Sequence, residues 1–161
     1  MHSQSRKKGL SVVEIIVASA IIVTLVTAIG GGWQLYLRVT REGTNYTMAS
    51  NLSEEGAEAV QLLRDLGWTA NISPLSLNTA YDLYWNGTAY KATTTAQLLQ
   101  SAYRRTATFS SVERDAWDNI VTSGGTVDAD TRKVTIRVYL STSTSTLLTQ
   151  SEMLIHNTYA N

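Results

Sequence analysis

The chain has 161 residues, enough for one globular unit with a modest core and too few for two full domains. Its hydrophobic content of 43%, charged content of 16% and single proline exclude a disordered polyampholyte and a proline-rich linker. Thirteen basic residues balance thirteen acidic ones, so no broad basic field suggests nucleic acid, and the absence of cysteine removes disulfides, thiolate metal sites and a cysteine nucleophile.

The chain opens on a basic cluster, Arg6, Lys7 and Lys8, which leaves 13 − 3 = 10 basic residues against 13 acidic ones in the remainder. From Leu10 to Ile29 the sequence then carries a single charge, and about 20 apolar residues are what a helix needs to cross the hydrocarbon core. The basic cluster belongs on the cytoplasmic side by the positive-inside bias, which predicts an N-in single-pass topology with everything after Gly32 outside. A secretory signal fits less well, because its apolar region is shorter and is followed by a small-residue cleavage site. Glu14 stands five residues into the run, where a carboxylate costs on the order of 2.5 to 3.5 kcal/mol and therefore needs a partner. A signal-anchor helix with one incidental glutamate is the plain alternative.

The segment KKG-LSVVE, with its basic residues, glycine, short apolar tract and glutamate, resembles the processing signal of type IV prepilins. The resemblance implies cleavage between Gly9 and Leu10 by a prepilin peptidase, N-methylation of the new terminus, and pairing of Glu14 with the terminal amine of a neighbouring subunit during assembly. A cation and a carboxylate sharing an apolar environment neutralise each other better than either is neutralised alone. The segment departs from the commonest family pattern in beginning at Leu10 instead of phenylalanine and in carrying Ser11-Val12-Val13. The chain also lacks the C-terminal disulfide of many pilins.

Gly30, Gly31 and Gly32 follow the span, and at about 1 kcal/mol each relative to alanine they predict a kink or an unwound turn. By resemblance they are candidates for local helix melting when subunits pack. Trp33 and Tyr36 suit a membrane interface. Beyond them Ala49, Leu52, Gly56, Ala59, Val60, Leu63 and Leu66 recur at three- and four-residue spacing, predicting an amphipathic helix that stops at Gly67 and places Glu54, Glu55, Glu58 and Arg64 mostly on its solvated side.

From here threonine, serine, valine and tyrosine dominate between turn residues, which signals antiparallel strands. Asp82 to Trp85 and Thr88 to Lys91 flank Asn86-Gly87 and predict a hairpin with a two-residue turn; Tyr103 to Val112, Lys133 to Ser141 and Leu147 to Asn157 supply further strands. The expected fold is α+β and pilin-like, with a long N-terminal helix, membrane-spanning then amphipathic, against an antiparallel β-sheet of four or five strands. The expected parts are a cleaved leader 1–9, a transmembrane and assembly helix 10–32, an amphipathic helix 33–67 and a β-rich head 68–161.

Chemistry in the head is sparse. His2 belongs to the leader and leaves His156 as the only other histidine, so nothing assembles a triad or a multi-histidine metal site, and neither enzyme activity nor a cofactor is expected. Asp115, Asp118, Asp128 and Asp130 around Gly124-Gly125 could in principle hold calcium, but the spacing is not that of an EF-hand and solvated turns explain it. Arg104, Arg105, Arg114, Arg132, Lys133 and Arg137, with Tyr90, Tyr103, Trp117 and Tyr139 nearby in sequence, raise DNA as a partner. Arginines on exposed strand faces and edges are the ordinary explanation. Four Asn-x-Ser/Thr matches, at Asn45, Asn51, Asn71 and Asn86, are surface-loop patterns without weight of their own. The expected function is a minor pilin or pseudopilin: a subunit of a type IV pilus or related filament, a cytoplasmic-membrane protein before assembly and part of an extracellular or periplasmic filament after it. Its partners would be the prepilin peptidase, other pilin subunits, the assembly machinery and the membrane. The alternative is an uncleaved bitopic adhesion or receptor module.

Overall fold

The computed structural model describes residues 11–140 and 146–158. One helix, α1 (Val12–Asp65), precedes a short α2 (Trp68–Asn71) and six strands: β1 (Ala80–Trp85), β2 (Tyr90–Thr93), β3 (Tyr103–Arg114), β4 (Ile120–Val121), β5 (Thr126–Leu140) and β6 (Leu147–His156). The architecture is α+β with a wholly antiparallel sheet, one strand more than the sequence predicts, ordered β2-β1-β3-β5-β6 with the two-residue β4 added to the end of β3. The chain divides into two compact units, one up to Gly43 and one from Thr44, and α1 contributes to both.

In the second unit the buried face of α1, formed by Ala49, Leu52, Ser53, Gly56, Ala59, Val60 and Leu63, meets the inner face of the sheet. That inner face follows from period-two alternation: Arg105, Ala107 and Phe109 of β3 lie opposite Val138, Ile136 and Val134 of β5. Leu83 and Ile155 extend the layer on β1 and β6, and Trp68 of α2 and Ile72 directly after it close the layer. Leu66 falls outside it, exposed instead of buried as its spacing predicts, because α1 ends at Asp65. The stop itself lies where glycine allows it: Gly67 takes φ 126° while its N–H is donated to the Arg64 carbonyl at 3.0 Å.

The β1–β2 hairpin differs from the expected two-residue turn. Trp85 pairs with Tyr90, not Thr88, so the loop is four residues, Asn86 to Ala89. The side-chain oxygen of Asn86 accepts the N–H groups of Thr88 and Ala89 at 3.0 and 2.9 Å, an arrangement that needs the longer loop. The resulting register sets Trp85 against Tyr90 edge-on, with centroids 5.2 Å apart.

The predicted third strand begins at Tyr103 as expected and runs two residues further, whereas β5 begins seven residues earlier than predicted. The reason is a bulge: Ser111 pairs with Arg132 but Val112 with Asp128, leaving Ala129, Asp130 and Thr131 without a partner on β3. The break in alternation hides the first part of β5 from a period-two reading. The predicted end of this strand at Ser141 lies outside the described residues.

Candidate functional site: the amino-terminal helix and the distal cleft

Arg6, Lys7, Lys8, Gly9 and Leu10 lie outside the described residues. Glu14 stands in the first turn of α1. Its Oε2 accepts the backbone N–H of Ser11 at 3.0 Å, while the Ser11 hydroxyl accepts the N–H of Val13 at 3.3 Å. Ser11 thus caps the helix through the N–H of Val13, and Glu14 reaches back to the cap N–H as the glutamate of a capping box does, where the carboxylate also meets the positive end of the helix dipole. The Ser-x-x-Glu spacing carries that signal in the sequence, and a reading fixed on the charge of Glu14 passes over it. Oε1 has no bond among the described residues.

After Glu14 the helix satisfies its polar side chains locally. Ser19, Thr24 and Thr27 donate to the carbonyls of Ile16, Ala20 and Val23 at 2.8, 2.8 and 2.9 Å. Such back-bonding leaves no hydroxyl unpaired in an apolar surrounding. The helix is long and apolar enough to cross a membrane, and none of its most apolar stretch is buried by the described residues. Ile16, Ile22, Val26 and Ile29 are among the large side chains it leaves bare.

The unwound turn expected at Gly30, Gly31 and Gly32 is absent: α1 runs through all three without a break. Helix propagation is cooperative, so a weak triplet inside 54 residues is carried by the turns on either side. A Cβ at any of the three would meet nothing within 4 Å. Trp33 and Tyr36 follow on adjacent turns with their rings 5.9 Å apart.

In the head, the β5 bulge gathers a polar cleft of about 370 Å³ lined by Arg114, Asp115, Asp118, Thr126, Val127, Asp128 and His156. Asp128 Oδ2 accepts from the Thr131 hydroxyl at 2.6 Å and from Arg114 Nε at 2.7 Å. The hydroxyl and the guanidinium together hold this carboxyl at a pKa of about 2. Thr131 Oγ1 also lies 3.1 Å from His156 Nδ1. With the threonine hydrogen directed at Asp128, Nδ1 is the donor in this contact.

Asp115 accepts the N–H groups of Trp117 and Asn119, both at 2.9 Å, and the Asn119 side chain and backbone hold its carboxyl below the usual range. Asp130 Oδ1 accepts from Asn157 Nδ2 at 2.9 Å. These aspartates are therefore engaged by turns and by Arg114, as solvated-turn residues are. Among the described residues no group of three or more His, Asp or Glu side chains is placed to hold a metal ion.

Several basic residues of the strands each meet a partner within the chain. Arg104 makes two bonds to Asp82 at 2.7 and 2.6 Å, Arg114 faces Asp128, Lys133 faces Glu152 at 2.7 Å, and Arg137 donates to Gln150 at 2.8 Å. Arg105 is the residue whose role a linear reading misses. It is 1% exposed and lies between sheet and helix, donating to the Leu52 carbonyl at 3.0 Å and pairing with Glu55 at 3.2 Å. Glu55 Oε1 also accepts from the Tyr90 hydroxyl at 2.8 Å, so Glu55, assigned by charge patterning to the solvated face, ties α1 to two strands. Burial and the Glu55 carboxylate together raise the Tyr90 pKa.

No family model, no curated protein and no solved structure matches this chain.

Proposed function

We propose that this protein is a non-enzymatic filament subunit of the type IV pilin class, processed after Gly9 and assembled through its amino-terminal helix. The observation that carries the reading is the apolar half of α1. It is a continuous helix whose most apolar stretch is buried by none of the described residues, and it bears one carboxylate at its first turn. Such a surface needs lipid before assembly and other apolar helices after it. In the mature chain Glu14 is the fifth residue, and its Oε1 is free to accept the amine of a neighbouring copy while Oε2 remains on the helix cap. The basic residues Arg6, Lys7 and Lys8 hold the leader in the cytoplasm, and the head stands on the opposite side of the membrane before joining the filament. The prepilin peptidase, further subunits and the assembly machinery are the partners in this reading, and the head serves as a packing and display module.

The deciding experiment is the intact mass and N-terminal sequence of the protein from its native membrane, with and without the host's prepilin peptidase. The expected chain begins at Leu10, one methyl group heavier, and retains Met1 to Gly9 when the peptidase is deleted. A chain beginning at Met1 in both strains overturns the reading in favour of an uncleaved bitopic adhesion protein.

A further inference from the structure

The sheet ends in two strands of different kind. β2 is four residues long and carries Lys91, the short and charged pattern by which native edges resist further pairing. β6 is ten residues long and has neither lysine nor proline; its single charge, Glu152, is neutralised by Lys133 of β5 at 2.7 Å. Among the described residues no strand pairs with the outer side of β6.

The ladder fixes which backbone groups face outward. Asn157 N–H is donated to the Asp130 carbonyl at 2.8 Å, and the register from Thr131↔His156 to Val138↔Thr149 continues from there. Bonded and non-bonded pairs alternate in an antiparallel ladder, so Ser151, Met153 and Ile155 face β5 with their N–H and C=O groups. Gln150, Glu152, Leu154 and His156 point theirs away from the sheet.

We propose that this edge pairs antiparallel with the same edge of a second copy, about a two-fold axis at Leu154. The register is selected by chemistry. Centred on Glu152, the pairing would oppose two carboxylates, which is unfavourable. Centred on Leu154, it places Leu154, half exposed in the single chain, against its own copy and Glu152 against His156. His156 engages Thr131 through Nδ1, so it answers that carboxylate only as an imidazolium, whose Nε2 also carries a proton to donate. An isologous contact of this kind closes on itself and joins two sheets into one. It is a property of the head and does not depend on the filament reading.

The native absence of cysteine makes the test direct. Leu154→Cys places two thiols across the axis with Cα atoms about 5.5 Å apart, within disulfide range. The full chain in detergent micelles, mildly oxidised, is expected to give a disulfide dimer, whereas Thr93→Cys on the β2 edge stays monomeric. Leu154→Pro removes one outward N–H without touching the β5 ladder and is expected to weaken the dimer at least tenfold in sedimentation, with an unchanged circular dichroism spectrum. A wild-type chain that sediments as a monomer overturns the proposal. So does equal cross-linking at Thr93 and Leu154, which uses no proline and no assumption about the stability of that variant.

Discussion

Gly31 and Gly56 stand in the same helix, 25 residues apart, and do opposite things. A Cβ at Gly31 meets nothing within 4 Å, whereas one at Gly56 would come within 2.7 Å of Arg105 Cδ and 3.1 Å of Ile136 Cγ2. From Val12 to Gly43 the first unit is a bare helix in which Glu14, Ser19, Thr24 and Thr27 each find a partner within about one turn. The second satisfies its polar groups across the chain: Arg105 reaches Leu52 and Glu55, Tyr103 donates to Asn45 at 2.9 Å, and Ser53 bonds Ser151 at 2.7 Å. Local satisfaction suits a surface whose neighbours are other molecules. Long-range satisfaction fixes one fold.

The comparison is broken most severely at Glu14. Glu14→Gln keeps a capping-box side chain and removes only the charge, so on the assembly reading it should lose incorporation into filaments as fully as Glu14→Ala, with processing intact in both. Immunoblots of sheared filaments against whole cells measure this. Normal incorporation of Glu14→Gln alone would assign Glu14 to the helix cap and remove the amine pairing.

Next in size is Glu55→Ala, which takes the carboxylate from a buried guanidinium whose Nε already lacks a bond among the described residues. Removing one partner of a fully buried pair costs about 3–5 kcal/mol, and the partial exposure of Glu55 reduces that to about 1–3 kcal/mol. Urea denaturation followed by tyrosine and tryptophan fluorescence reads it, and an unchanged midpoint would contradict the tie described above. The two glycines then sharpen the contrast. Gly56→Ala should destabilise the head by about 1–3 kcal/mol through overpacking against Arg105, outweighing the helix-propensity gain. Gly31→Ala should leave the head unchanged and strengthen the local helix by about 1 kcal/mol, seen as slower amide exchange near residue 31.

The smallest effect is expected at Asp128. Its folded pKa of about 2 lies below the ordinary value of 3.8, so its contribution to stability is present above about pH 4 and is lost as the pH falls towards 2. Acid unfolding of Asp128→Asn should lack that component between pH 4 and 2 while showing lower stability than the wild type at pH 7. Equal curves for the two proteins would show that the bonds from Thr131 and Arg114 carry no net stability.

Much of this was legible before folding. The apolar run from Leu10 and the three- and four-residue spacing from Ala49 to Leu63 depend only on what one helix turn does to neighbouring side chains, and the helix and its buried face follow them. Strand positions followed alternation wherever alternation is regular, as from Tyr103 to Val112. The sequence by itself determined a helix that must find apolar company, a polar-capped start at Ser11 and Glu14, and an antiparallel sheet, because periodicity and caps are short-range properties. Only the tertiary structure decided that Glu55 and Arg105 meet beside Gly56 and that the β5 bulge brings Asp128 to Arg114. Both depend on groups brought together from separate elements, which local spacing does not record.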